Sequence, residues 1–128
     1  MSLLLKFGEF IEGSQKTSFS PEVMRHAKRA LLDWHTALIA GSTTDAAIRL
    51  RQAYEDELGK GSCAIAGTDL KASARVAAFM NGTISHIAEY DDIYRDGAYH
   101  PACPTISAAF ALAQAKQIPV QNLLESIV

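Results

Sequence analysis

Two histidines, His86 and His100, bracket the densest group of ionisable residues in this 128-residue chain: Glu89, Asp91, Asp92 and Asp96 lie between them. An imidazole titrates near neutral pH and can give or take a proton there. His100 precedes Pro101, which favours an extended, stiffened backbone at the histidine, and Tyr99 on its other side makes the setting partly apolar. His100 is the first candidate for proton transfer; its bland alternative is a loop histidine with one structural hydrogen bond. His86 is three residues from Glu89 and four from Tyr90, so on a helix all three share a face. That spacing suits either the wall of a site or a local pair that fixes one tautomer. Asp91 and Asp92 follow where the helix should end. Adjacent carboxylates at a helix C-terminus oppose the helix dipole and need a compensating partner or role. One of them can orient a histidine or hold the loop through backbone N–H groups; a solvated Asx-turn is the alternative. Upstream, Asn81-Gly82 is the only Asn-Gly pair and falls in mid-helix, where Gly costs about 1 kcal/mol against Ala. Either the helix breaks there or something packs on the bare backbone. His26 and His35 fall on different faces of an earlier helix and read as surface or satisfied residues.

The elements that must position these groups are helical. Leu4, Phe7 and Ile11 form a stripe on a first helix over residues 3–12, closed by Gly13. Ser20-Pro21 starts a second helix, with Ser20 as cap, Pro21 in the first turn and Glu22 favourable to the dipole. It runs to about Ala40 with Val23, Ala27, Ala30, Leu31, Trp34 and Leu38 as its buried stripe, and Gly41 terminates it. Asp45 caps a weaker helix ending near Gly59. The run from Gly61 to Gly67 reads as a short strand or an extended connector. Thr68 or Asp69 caps an alanine-rich helix from Leu70 or Lys71 through Ile87. After a loop marked by Gly97, Pro101 and Pro104, residues 105–116 are helical again; Ile118-Pro119 turns the chain into a last helix from Val120 to Val128. The fold class is all-α, a bundle of about five or six helices in one domain over residues 1–128.

Composition narrows the function. A hydrophobic content of 48% against 20% charged residues is that of a soluble globular chain. A net charge of -2 offers no electrostatic case for nucleic acid or an anionic membrane. No apolar run is long enough to span a bilayer, and the first residues read as a helix rather than a signal peptide. Cys63 and Cys103 are expected as free thiols in a cytoplasmic protein. No tight His/Cys ligand set is visible, so no metal site is expected.

The ordered series Asn81-Gly82-Thr83, Ser85-His86, Glu89-Tyr90-Asp91-Asp92 and His100-Pro101 resembles the N-terminal signature of the MmgE/PrpD family, which includes 2-methylcitrate dehydratases and cis-aconitate decarboxylases. The residues AKRALLDWHTALIAG upstream and PTISAAFALAQAKQIPVQNLLESIV downstream continue the likeness over nearly the whole chain, though only over the N-terminal part of a full-length member. The resemblance implies part of a helical domain and a cofactor-independent lyase or isomerase acting on a small di- or tricarboxylate. It implies His100, Asp91 and Asp92 as catalytic residues, and Glu89, His86 and Asn81 as substrate contacts. The last helix completes barely two turns, with Leu123, Leu124, Ile127 and Val128 apolar, and needs that face packed against something; the resemblance implies that a second copy or a complementing chain covers it. This sequence departs from the family where Asp-Phe-Asp-Asp-Thr becomes Glu89-Tyr90-Asp91-Asp92-Ile93 and His-Pro-Gly or His-Pro-Ser becomes His100-Pro101-Ala102. Ile93 removes a hydroxyl and Glu89 adds a methylene, changes that bear on the substrate.

Two other classes use the same stretch. Asp91-Asp92-Ile93-Tyr94-Arg95-Asp96 is a loosened version of the aspartate-rich motif with which helical isoprenoid synthases hold magnesium and a diphosphate, with the spacing off by one and no second such segment. A non-catalytic helical interaction module, or a gene remnant that kept the scaffold, is the third reading.

Overall fold

The computed structural model describes residues 2–15 and 17–128. These residues form an all-α arrangement of six α-helices with one 3-10 turn and a minimal hairpin. Helix α1 (Leu3–Ser14) is capped by Ser2, whose Oγ accepts from the Leu5 N–H at 3.4 Å. It runs through Gly13 rather than ending there. Helix α2 (Pro21–Ser42) starts as expected, the Val23 N–H donating to Ser20 Oγ at 3.3 Å. It does not stop at Gly41. That glycine sits inside the last turn because α4 crosses it: a Cβ there would collide with the Ile84 carbonyl. The residue is small for close approach, not for a turn.

Helix α3 (Asp45–Ala53) is capped by Thr44, which accepts from the Ala47 N–H at 3.3 Å, and Asp45 takes the first turn instead. A 3-10 turn at Glu55–Glu57 follows. The apolar run after it is a strand, β1 (Cys63–Ala64), paired antiparallel with β2 (Lys71–Ala72) so that Cys63 faces Ala72. This pairing takes residues 71 and 72 out of the helix expected there. The Ile65 N–H donates to the Leu70 carbonyl at 3.2 Å and closes the hairpin, with Gly67 at φ +74° in its turn. Ser73 caps the delayed helix α4 (Ala74–His86). Helix α5 (Ala102–Lys116) starts earlier than expected, because Pro104 falls in its first turn, where an N–H has no intrahelical partner to lose. Gln117, at φ +54°, ends it in a left-handed conformation. Helix α6 (Val120–Ile127) packs on α2 and α5 with Leu123 and Leu124 buried and Ile127 against the Trp34 core, so the face expected to need another chain is met largely within this one, and it is α1 that is left exposed.

Helices α4 and α5 form the tightest pair, and α2 crosses α4. Gly82 lies inside α4, and the helix does not break: a Cβ there would lie 3.0 Å from the Cys103 carbonyl, so the first turn of α5 packs on its bare backbone. Trp34, fully buried, joins Leu38, Ala47, Ile84, Ala102 and Ile106 in one core. Its Nε1–H donates to Ser107 Oγ at 2.9 Å, so the burial leaves no indole donor unmet. A second core forms on the hairpin side from Cys63, Ile65, Ala72, Val76, Ala77, Met80 and Ala111. His26 and His35 are exposed. Both cysteines are free thiols. Among the described residues no helix is long and apolar enough to cross a membrane.

Candidate active site

Helix α4 ends at His86, and Glu89 turns the chain away in a left-handed conformation at φ +50°. The helical pairing of His86 with Glu89 and Tyr90 therefore does not form. The chain folds back instead and brings Asp91 to His86: the imidazole Nδ1 lies 3.2 and 3.1 Å from the two carboxylate oxygens. Tyr90 anchors the fold-back by donating its hydroxyl to the Thr36 carbonyl on α2 at 2.9 Å. Beyond Asp92 the loop makes a small antiparallel bridge between Tyr94 and Tyr99, whose rings meet edge to face at 5.8 Å over Gly97. The loop then delivers His100 to the same carboxylate.

His100 Nδ1 lies 3.3 Å from Asp91 Oδ2 but off the line of a hydrogen bond, and it is buried without a partner. The two imidazole rings are 4.6 Å apart at 58°. One carboxylate, its side chain 1% exposed, thus faces two histidines. Burial alone pushes the Asp91 carboxyl up. The His86 hydrogen bond, with the adjacent Cys103 thiol and the His86 charge, outweighs it, and the net position is below the ordinary 3.8. A buried carboxylate that stays ionised is suited to hold an imidazole in one tautomer: with Nδ1–H donated to Asp91, the lone pair is on Nε2.

Asp92 has a different task. Its Oδ1 accepts from the Ala102 N–H at 3.1 Å, at the start of α5. The opposition to a helix dipole expected for this pair is thereby reversed, because the carboxylate belongs to the N-terminus of the next helix rather than the C-terminus of the last. Burial raises its pKa, the Ala102 N–H lowers it in part, and the net is above 3.8. Asp92 holds the loop that carries His100.

Asn81 is buried and bonded at both ends of its amide. Nδ2 donates to the Ala64 carbonyl at 2.9 Å, and Oδ1 accepts from the Ala66 N–H at 3.0 Å. The structure gives it the work of clamping the hairpin to α4. Glu89 is exposed and lines, with His86, Phe79, Gly82, Thr83, Ile87, Cys103 and Pro104, an open and largely apolar groove of about 610 Å3. Of the two histidines, His86 lines it.

Cys103 is the neighbour that sequence reasoning passed over. It lies in the first turn of α5 with Sγ donating to the His100 carbonyl at 3.3 Å. Burial and the adjacent Asp91 push its thiol up to about 11, so it is a weak nucleophile. The signal was its place three residues after His100, at the start of the next helix. His86, Asp91 and Cys103 bring one ligand atom each within 4.8 Å of one another, a set that the linear sequence does not display.

Comparison with known proteins agrees with this architecture. The MmgE/PrpD N-terminal domain matches residues 5–128. A cis-aconitate decarboxylase-like protein of Aspergillus oryzae is 28% identical over 93 residues, covering 73% of this chain. The chain spans only 19% of that relative's length.

Proposed function

This chain belongs to the MmgE/PrpD family, and from that premise we propose that its histidine pair serves a cofactor-independent lyase acting on a small di- or tricarboxylate such as 2-methylcitrate or cis-aconitate. The observation that carries the reading is the buried Asp91 carboxylate facing His86 at 3.1 Å and His100 at 3.3 Å. Carboxylate-oriented imidazoles can exchange protons with a carbon acid near neutral pH. In a dehydration, one imidazole takes the proton from the carbon beside a carboxylate, the C–O bond of the neighbouring hydroxyl breaks, and the oxygen leaves as water with a proton from the other imidazole. In a decarboxylation, the C–C bond to a carboxylate breaks, CO2 leaves, and an imidazole returns a proton to the carbon. Neither reaction changes the substrate's overall oxidation state, so no redox cofactor is called for. His100 and Asp91 are the catalytic pair of this proposal, Asp92 is a positioning residue, and His86 and Glu89 meet the substrate at the groove. The proposal also has the apolar face of α1 covered by a second copy of the chain, in the cytoplasm.

Carboxylates of the aspartate-rich reading are otherwise engaged. Asp91 faces two nitrogens and a sulfur, and Asp92 accepts from Ala102, whereas magnesium prefers an all-oxygen shell. The test is turnover of 2-methylcitrate and of cis-aconitate followed by proton NMR. His100→Ala and Asp91→Asn are expected to lose about 10^2–10^4-fold. Turnover of neither acid by the unmodified chain, or turnover undiminished in both variants, moves the reading to a non-catalytic helical module.

A further inference from the structure

We propose that His86, Asp91 and Cys103 form a binding site for a borderline divalent ion, zinc above all, with His100 as the nearest fourth donor. The three ligand atoms come from three separate pieces of chain: the end of α4, the folded-back loop and the first turn of α5. The set is one nitrogen, one carboxylate oxygen and one sulfur, the mixture that zinc and cobalt take and magnesium and calcium do not.

The spacing suits such an ion. Zinc bonds of about 2.0–2.3 Å arranged tetrahedrally put neighbouring ligand atoms about 3.3–3.8 Å apart. His86 Nδ1 lies 3.1 Å from Asp91 Oδ2, and the widest pair of the three is within 4.8 Å. Closing about 1 Å on the sulfur completes the triangle, a change on the scale of a side-chain rotation at Cys103. A second and independent observation points to the same place. His100 Nδ1, buried and 3.3 Å from Asp91 Oδ2, has no hydrogen-bond partner. An orphaned buried nitrogen facing a carboxylate is costly without a ligand. Binding replaces the Cys103 S–H by a zinc–sulfur bond and the thiol proton passes to solvent, while the His86 ring changes tautomer, its proton moving from Nδ1 to Nε2 so that the Nδ1 lone pair meets the ion. The ion also occupies Asp91, the carboxylate that orients the imidazoles. It is therefore a competitor of the proton chemistry proposed above and not its cofactor, and its binding stands or falls separately from turnover.

Cobalt(II) titration of the purified chain tests the site by absorption, without reference to activity. Uptake of one equivalent is expected, with an intense near-ultraviolet sulfur-to-cobalt band and visible bands of a tetrahedral ion, all discharged by added zinc. Cys103→Ser should lose the near-ultraviolet band, Cys63→Ser should keep it, and His86→Ala should weaken binding by about tenfold or more. Circular dichroism of each variant separates loss of a ligand from loss of the fold. In addition, zinc should raise the melting temperature of the unmodified chain and not that of Cys103→Ser. Absence of the sulfur-to-cobalt band in the unmodified chain, or a band that survives Cys103→Ser and disappears with Cys63→Ser, overturns the proposal.

Discussion

Helices α1 and α4 are nearly equal in length, 12 and 13 residues, and both are rich in apolar side chains. Their fates are opposite. In α4, Val76, Ala77, Met80, Asn81, Ile84 and Ser85 are all buried; in α1 no residue is. The exposed set on α1 includes Leu3, Leu4, Leu5, Phe7, Phe10 and Ile11. What separates the two is size and not hydrophobicity. Helix α4 carries small residues where its neighbours cross, and meets small residues on them: Gly41 lies under Ile84, and Gly82 lies under the Cys103 carbonyl. Close approach of backbones then gives many dispersion contacts per residue. Helix α1 presents large side chains all along one side and approaches the body mainly at its end, where Phe10 and Ile11 share a groove with Asn122, Glu125 and Val128 of the C-terminal segment. Apolar periodicity marks a face that gains by burial. Whether a matching surface exists within the chain is a separate question.

Substitutions can break the contrast at its strong end first. Trp34→Ala, on the helix that crosses α4, is expected to cost about 3–5 kcal/mol in urea unfolding, since the side chain is fully buried and its indole bond to Ser107 goes with it. A loss under about 1 kcal/mol would mean that the core relaxes as freely as the surface. Next, Asn81→Ala should cost about 2–4 kcal/mol, because it leaves both the Ala64 carbonyl and the Ala66 N–H without partners. If the same variant melts like the unmodified chain, the clamp is not what holds the hairpin on α4.

Smaller effects sharpen the comparison at the site, where two neighbouring carboxylates have opposite shifts. The Asp91 pKa is lowered in the fold, so its contribution to stability is present above 3.8 and is lost as pH falls below that value. The Asp92 pKa is raised, so its contribution is present below 3.8 and is lost as pH rises through the higher folded value. Urea midpoints measured from pH 2.5 to 6.5 (roughly the carboxylate range) should therefore change with opposite slopes in Asp91→Asn and Asp92→Asn, each relative to the unmodified chain. Like-signed changes would show that the two aspartates share one environment.

The weakest expected effects belong to the half-buried His100 of the loop and to the exposed positions of α1. His100→Ala should alter stability by no more than about 0.5 kcal/mol, and so should Leu4→Ser or Phe7→Ser within a single copy. The α1 substitutions have a second readout. If a second copy covers that face, light scattering after size exclusion should show association in the unmodified chain that Leu4→Ser with Phe7→Ser reduces. A monomer at every concentration removes self-association from the proposal.

Local chemistry settled much of this protein before any folding was considered. Ser20-Pro21 marked the start of α2 from local chemistry alone, because a cap and a ring without an N–H suit a first turn. The Trp34 stripe and the all-α class follow from periodicity in the same way. Long-range pairing decided the rest. Residues 71 and 72 joined a hairpin because Cys63 and Ala64 offered a partner strand. Gly41 and Gly82 became crossing points because other helices pass there. The site shows the limit most clearly. Its residue types were legible at positions 86, 91, 92 and 100, and so were the two tasks open to the aspartates, but not their assignment: Asp91 found two imidazoles and Asp92 the amide of Ala102, while Asn81 found the hairpin and Cys103 joined the cluster. Spacing along a chain constrains partners only while one helix continues, and α4 ends at His86. Beyond that point the direction of the returning loop, and not its composition, chose which groups would meet.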